Sequence, residues 1–292
     1  MGGKVLDLNN RLNQIKIKDI IIIYLFSILI VSIIIFGIVK LNHKDVGNFI
    51  ISTITLILQL LILLTLFLRI KPSKKNILFL YNDFKKKIKK TEIIEVTFIK
   101  LCISIGGSKV ILGIFYFIDP IIVNTFIYES ASLVNSFGNY FVNMVLLLLV
   151  SPIVEEVVFR GIIFNRLINK FNLCTGIVAS SMVFASFYAG SGIAGALALG
   201  IINCILYIKY KNILITIFVN LINNAIVLIS VIPSLNGNFT DIIISYNDVI
   251  TDILLGIVAF LIGILGMLKY INKNKIVLNK FDKYIKGKKG IY

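Results

Sequence analysis

The sequence predicts an all-α protein, a polytopic bundle of about eight transmembrane helices with both termini in the cytoplasm. Three observations support this fold class: an apolar content of 58% over 292 residues, long apolar runs with short connections between them, and basic residues concentrated in alternate connections. A soluble core of this size does not require so apolar a chain. The sequence therefore indicates an integral, multi-pass membrane protein.

Eight apolar runs reach or approach the length of a membrane span. A helix needs about 20 apolar residues to cross a hydrocarbon core of about 30 Å. The first run follows several basic residues and lacks a small-residue cleavage pattern, so we interpret it as a retained span rather than a signal peptide. The predicted spans are Ile20–Val39, Phe49–Leu68, Val96–Phe117, Tyr140–Phe164, Leu173–Ala189, Ile193–Ile208, Ile213–Ile232 and Ile250–Leu268.

The charge of the connections supports this count. Lys and Arg accumulate in cytoplasmic loops, and here they are concentrated after the second, fourth and sixth spans and in the C-terminal tail. The connections after the third, fifth and seventh spans carry almost none, and the first connection, with Lys40 and Lys44, is the exception. This alternation predicts cytoplasmic termini. The Ile-, Leu-, Asn- and Lys-rich composition is typical of an AT-rich genome, so we expect the bacterial cytoplasmic membrane.

The net charge of +16 is explained by the membrane. Nucleic-acid binding would require basic residues interleaved with aromatic residues on a soluble face, whereas these basic residues flank predicted spans. They are expected to contact anionic lipid headgroups. The lipid bilayer is therefore a predicted partner and nucleic acid is not. The segment Lys71–Lys90 alternates lysines with apolar residues, which predicts an amphipathic helix on the cytoplasmic surface.

Cysteine and histidine do not indicate a metal or disulfide site. Cys102, Cys174 and Cys204 lie in apolar stretches at unrelated spacings, which predicts small core residues. The single histidine, His43, lies in the predicted first external loop, and we interpret it as solvated.

The fourth predicted span contains three charges in the sequence SPIVEEVVFRGIIF. A charged side chain at the bilayer centre costs from about 2.5 to more than 10 kcal/mol, so charges there are rare without a purpose. Glu156 and Arg160 are four residues apart and share a helical face, which predicts a salt bridge. Glu155 points about 100° away. It has no local counter-charge, so we predict that it acts on a water or a ligand.

Two neighbouring features affect this interpretation. Pro152 removes a backbone hydrogen bond, so a kink or a break is expected near the glutamates. Arg166 and Lys170 follow closely. Their position leaves open the alternative that the three charges only cap the cytoplasmic end of the span.

Three segments resemble the motifs of the CPBP family, which includes the CAAX-type prenyl endopeptidases and bacteriocin-processing or Abi-domain proteins. EEVVFRG, which begins at Glu155, resembles the EExxxR motif. ASSMVF, residues 179–184, resembles the lead-in to the FxxxH motif, and KNILITIFVNLINN, residues 211–224, resembles the HxxxN motif. The resemblance implies N-terminal helices with a basic loop (1–139), an intramembrane protease-like core (140–232), and a last helix with a basic tail (233–292).

The resemblance also implies roles for individual residues. In the family, two glutamates and two histidines converge on a site where a water attacks a peptide bond. Glu155 would be the base or a metal-side carboxylate, and Glu156 with Arg160 would support it. Asn224 would donate a hydrogen bond to the oxyanion of a tetrahedral intermediate.

This sequence departs from the family pattern at both motif histidines, whose positions hold Tyr188 and Asn220. Neither residue type replaces histidine well as a zinc ligand, and asparagine does not titrate. We therefore expect no bound cofactor, although zinc would be the family expectation. A metal-free reaction would require Glu155 to deprotonate a water while Tyr188, Asn220 and Asn224 donate to the oxyanion.

Three functions remain open at this point. The first is a catalytically degenerate family member that binds a membrane protein or peptide in an immunity, scaffold or regulatory role. The second is an active glutamate-dependent intramembrane endopeptidase. The third is a small transporter or channel component, for which intramembrane carboxylates are also typical; the absence of internal repeats in the sequence counts against it.

The polar residues of the core also have structural interpretations. Asn203 and Asn223 are interpreted as interhelical hydrogen-bond donors that hold the bundle together. Asn220 and Asn224 share one helical face, and for them a cavity-lining role and a purely structural role are both open. Tyr188 would serve as an aromatic anchor at the outer interface in the alternative interpretation.

Overall fold

The computed structural model describes residues 12, 15–42, 47–121, 123, 136–188, 190–231 and 246–289. Within these residues the chain forms helices and no strands. We number them α1 Ile17–Asn42, α2 Asn48–Ile70, α3 Lys74–Lys87, α4 Lys90–Ile118, α5 Phe137–Lys170, α6 Leu173–Ala185, α7 Ile193–Tyr210, α8 Ile213–Val231 and α9 Tyr246–Lys289. His43 and residues 124–135 of the predicted third connection lie outside the described residues.

Seven of these helices are long and apolar enough to cross a membrane, which confirms the predicted polytopic helical bundle. The fifth predicted span differs. It forms α6, a helix of 13 residues, which at 1.5 Å per residue covers about 20 Å and is too short to cross alone. The apolar run continues beyond Ala185, but the chain turns at residues 186–188. The cytoplasmic location of the termini stays a prediction.

The fourth span, α5, is continuous but irregular. Its backbone widens into π-helical turns at Leu146–Val150 and Val157–Phe164, on either side of the regular turn Ser151–Glu156. Single π-helical turns inside α-helices often occur at functional sites. The irregularity expected from Pro152 therefore takes the form of widened turns, and the helix is not broken.

Glycines bring the central helices into close contact. A Cβ on Gly200 of α7 would lie 2.7 Å from the Cβ of Ser181 on α6, and one on Gly195 would overlap Ser104 of α4. A Cβ on Gly106 of α4 would likewise overlap the backbone of Phe260 on α9. Small residues allow helix backbones to approach in membrane bundles. Helix α7 is therefore held between α4 and α6, with most of its side chains buried.

The predicted surface helix in Lys71–Lys90 corresponds to α3. Its N-terminus is capped by Ser73, whose hydroxyl accepts from the Asn76 backbone N–H at 3.2 Å. The Asn212 side chain, between α7 and α8, donates to the Leu80 carbonyl and to Asp83, both at 2.9 Å. These bonds attach α3 to the start of α8.

The three cysteines occupy different environments. Cys204 is buried, Cys102 is partly buried, and Cys174 is exposed. The expectation of core positions is therefore confirmed for Cys204 and wrong for Cys174, which lies in the first turn of α6 and faces outward.

Candidate functional site

The salt bridge predicted within the charged motif is present. Arg160 Nη1 donates to Glu156 Oε1 at 2.8 Å, and both side chains are fully buried. The guanidinium also lies over the Phe184 ring, 4.5 Å from its centroid, and Nη2 donates to the Leu199 carbonyl at 3.5 Å. Contacts from α6 and α7 thus fix the arginine of α5, so Glu156 and Arg160 are not a solvated end-cap.

Glu156 joins three helices. In addition to Arg160, Oε1 accepts from the Asn203 side chain on α7 at 2.9 Å and from the Asn220 side chain on α8 at 3.2 Å. A buried carboxylate needs such partners, because an unpaired charge in a protein interior is costly. Glu156 is therefore the polar centre of the α5, α7 and α8 packing.

Glu155 has a different environment. Its side chain is half-buried. Oε2 accepts from Asn220 Nδ2 at 2.8 Å, and the Tyr188 hydroxyl lies 3.3 Å from each carboxylate oxygen. Both partners are neutral. Among the residues that the structure describes, no lysine, arginine or histidine forms an ion pair with Glu155.

The structure brings Tyr188 and Asn220, which the resemblance predicts at the two motif-histidine positions, together at Glu155. Asn220 bridges the two glutamates through one nitrogen. Tyr188 follows the last turn of α6 and directs its hydroxyl to Glu155, so it is not only an interface anchor. We refer to Glu155, Tyr188 and Asn220 as the Glu155 site.

Asn224 is directed elsewhere: its Nδ2 donates to the Leu147 carbonyl of α5 at 2.9 Å. The widened turn of α5 explains this contact. In this turn the Ser151 N–H donates to the carbonyl five residues earlier, that of Leu146. At the same separation the donor for the Leu147 carbonyl would be residue 152, but this residue is a proline and has no N–H. Asn224 satisfies that carbonyl from α8.

Two residues were not predicted as part of the site. Asn203 was interpreted as an interhelical hydrogen-bond donor; it has this role, and its acceptor is Glu156. Tyr24 of α1 contacts Phe187, with ring centroids 6.3 Å apart. Sequence spacing does not connect Asn203 or Tyr24 to the charged motif, because each lies on a different helix from it. The only sign in the sequence is that each is a polar side chain within an apolar run.

A connected set of aromatic rings includes Tyr188, the tyrosine that bonds Glu155. Phe159 packs edge-to-face on Phe184 and on Phe187, with centroids 5.1 and 5.7 Å apart. Phe184 also contacts the Tyr188 ring at 5.2 Å, and Phe187 contacts Tyr24 at 6.3 Å. Phe187 is 64% exposed. We call these five residues the aromatic mouth of the site.

The donor set of this site does not fit zinc. Zn²⁺ in proteins is held by imidazole, thiolate and carboxylate ligands, usually three or four in number. Here Glu155 is accompanied by a phenol and an amide, and Glu156 already accepts from Arg160. In the described part of the chain, no group of three or more His, Cys, Asp and Glu residues converges on one point.

The fold and this site define a multi-pass helical membrane protein with paired glutamates in one span. Residues 137–226 match the model of a family described as Type II CAAX prenyl endopeptidase Rce1-like. The match confirms the resemblance to the CPBP family and covers just under a third of the chain, including all the residues of the Glu155 site. No match to the chain was found among curated proteins or among solved structures.

Proposed function

We propose that the protein uses a CPBP-type scaffold to bind a segment of a membrane protein or a membrane-embedded peptide at the Glu155 site, without cleaving it. The observation that carries this proposal is that the donors closest to the glutamates are already committed within the protein. Such binding suits an immunity, scaffold or regulatory role.

Peptide hydrolysis needs an activated water and free donors for the oxyanion. Asn220 donates to both glutamates, Tyr188 donates to Glu155, and Asn224 donates to the Leu147 carbonyl. An oxyanion would have to compete with these acceptors. The residues at the two motif-histidine positions supply no imidazole, the side chain that ordinarily shuttles protons near neutral pH.

Binding requires fewer features, and the site retains them. The half-buried carboxylate of Glu155 bonds Tyr188 of the aromatic mouth, and the buried Glu156–Arg160 pair holds the surrounding helices in place. Ligand sites are typically concave and largely apolar with a few fixed polar groups. The Glu155 site has this composition.

The second candidate, an active glutamate-dependent endopeptidase, is favoured by one observation. The Tyr188 hydroxyl is 3.3 Å from both oxygens of Glu155, which is long for a charge-assisted O–H···O bond. A water inserted beside Glu155 would have a carboxylate to accept its proton.

One experiment distinguishes the two candidates. Wild type, Glu155→Gln and Glu95→Gln are expressed in a host that lacks the native gene, each with a photo-reactive benzophenone side chain at position 187. Glu95→Gln is the matched control because that carboxylate is on α4 and pairs with the exposed Lys273. Membrane peptides and cross-linked adducts are identified by mass spectrometry.

We expect the same membrane peptides in all three strains. The amount of adduct should fall at least about 5-fold in Glu155→Gln only, which corresponds to a loss of about 1 kcal/mol in binding. A peptide product present in wild type and Glu95→Gln but lost in Glu155→Gln would establish the endopeptidase instead.

A further inference from the structure

The geometry points to a cationic nitrogen as the group that the Glu155 site binds: a lysine ammonium or an arginine guanidinium carried by an otherwise apolar peptide segment. This inference rests on the proposed function and names the chemistry of its ligand. Three independent features of the described residues support it.

The first feature is charge. The motif contains two carboxylates and one guanidinium, and Arg160 donates its hydrogen bonds to Glu156 and Leu199. When Glu155 is ionised, the site carries one negative charge without an ion-pair partner in the described chain, in the middle of a membrane-spanning helix. A ligand cation would neutralise it in an environment where unpaired charge is costly.

The second feature is an excess of hydrogen-bond acceptors. Asn203 and Asn220 are fully buried, and the side-chain nitrogen of each donates to a glutamate. The side-chain oxygen of each, Oδ1, accepts no hydrogen bond from the described residues. Buried acceptors are normally satisfied. The carbonyl of Asn220 belongs to the same amide that bonds Glu155. A lysine ammonium offers three donors and no acceptor, so it matches a site with a carboxylate and an unfilled carbonyl.

The third feature is the aromatic mouth. Ring faces attract cations, and an ammonium within about 6 Å of a ring is stabilised most when it is desolvated. The arginine of the motif already uses this interaction on Phe184 at 4.5 Å. Tyr188 bonds Glu155, and Tyr24 and Phe187 belong to the same connected set of rings. Their rings also suit the apolar residues on either side of the ligand's charged group.

A metal cation is a poorer match to these features. Magnesium and calcium require several oxygen ligands or retained waters, and an aromatic wall supplies neither. Among the described residues, no group of three acidic, cysteine or histidine side chains surrounds Glu155.

The test uses the full-length protein in nanodiscs of phosphatidylcholine and three fluorescent peptides. Each peptide has about 20 residues of leucine and alanine, enough to span a bilayer, with neutral polar flanks and blocked ends. The central residue is lysine, arginine or norleucine, so only the charge changes. Binding is measured by fluorescence anisotropy for wild type, Glu155→Gln and the control Glu95→Gln.

Wild type and Glu95→Gln should bind the lysine and arginine peptides at least about 10-fold more tightly than the norleucine peptide, equivalent to about 1.4 kcal/mol. This preference should disappear in Glu155→Gln. The wild-type comparison needs no variant, so it holds even if a substitution perturbs folding. A second set of nanodiscs contains phosphatidylethanolamine, and retention of the preference there shows that a lipid amine does not occupy the site.

The other outcomes are equally informative. Equal binding of all three peptides by wild type would overturn this inference and leave the proposed function intact. Loss of the preference in phosphatidylethanolamine would reassign the site to a lipid amine and overturn the inference for peptides. Binding of no peptide would overturn both proposals. Cleavage of a bound peptide would overturn the proposed function alone, provided that the lysine preference is retained.

Discussion

Two polar clusters in this bundle each contain a glutamate and tyrosine hydroxyls, but they differ in how the charge is compensated. Glu92, in the first turn of α4, is buried and accepts from Lys209 at 2.7 Å, from Tyr270 at 2.8 Å and from the Tyr210 hydroxyl. We call these four residues the Glu92 cluster. The Glu155 site has only neutral donors.

This difference in compensation separates a carboxylate that is paired for packing, Glu92, from one that has no ion-pair partner among the described residues, Glu155. The Glu92 cluster joins α4, α7 and α9 and balances its charge internally, so its hydrogen bonds are used for packing. Glu155 has a phenol and an amide, a partly open side, and no counter-ion among the described residues. Glu92 is thus more deeply buried than Glu155, and its charge is compensated by Lys209, whereas that of Glu155 has no ion-pair partner among the described residues.

The largest effect should come from Arg160→Met, which leaves Glu156 as a second uncompensated carboxylate. Removing one partner of a buried ion pair destabilises a protein by about 3–5 kcal/mol. Thermal unfolding of the purified protein in detergent should show this loss. The double variant Glu156→Leu with Arg160→Met should recover most of the stability, and a double variant as unstable as the single one would contradict this explanation.

A smaller loss is expected for Glu92→Gln, which removes the charge that Lys209 and two tyrosines surround. A charged hydrogen bond contributes about 1.5–3 kcal/mol, and Lys209 is partly exposed and can reach water. Unfolding should shift by this amount while the preference for the lysine peptide stays unchanged. A loss of that preference would show that the two clusters are not independent.

Asn224→Ala should destabilise the protein by about 1–2 kcal/mol because the Leu147 carbonyl loses its donor. Ser230→Ala on the same helix is the control, since its hydroxyl bonds only within α8 and is exposed. Equal unfolding curves for the two variants would indicate that Asn224 is free for another role, including the oxyanion contact implied by the family resemblance.

The smallest loss of stability should be that of Glu155→Gln, because this substitution breaks no ion pair among the described residues and removes a charge that is costly in a membrane span. The same variant should nevertheless lose the preference for the lysine peptide. A destabilisation similar to that of Arg160→Met would mean that Glu155 is a structural carboxylate like Glu92.

The sequence predicted the local features of the site well. Glu156 and Arg160 pair as their four-residue spacing requires, because both lie on one helix. Tyr188 and Asn220 both donate to Glu155, close to which the resemblance to the family motifs predicted them. These predictions depended on one helix or on a known pattern, and they hold for that reason.

Contacts between helices were harder to predict. Asn224 shares a helical face with Asn220, yet it reaches the Leu147 carbonyl because Pro152 leaves that carbonyl without a donor. The 13-residue length of α6 depends on the turn at residues 186–188. Asn203 and Tyr24 belong to the site only through packing. None of these features follows from periodicity, since each depends on which helices become neighbours.

The position of the salt bridge within α5 also affects biogenesis. Helix α5 is synthesised before α7 and α8, which supply Asn203 and Asn220 to the glutamates. Because Arg160 and Glu156 lie one turn apart on the same helix, their charges neutralise each other as soon as that helix forms. The span can therefore enter the bilayer with a single unpaired carboxylate, Glu155, and it does not need to wait for the C-terminal half of the protein.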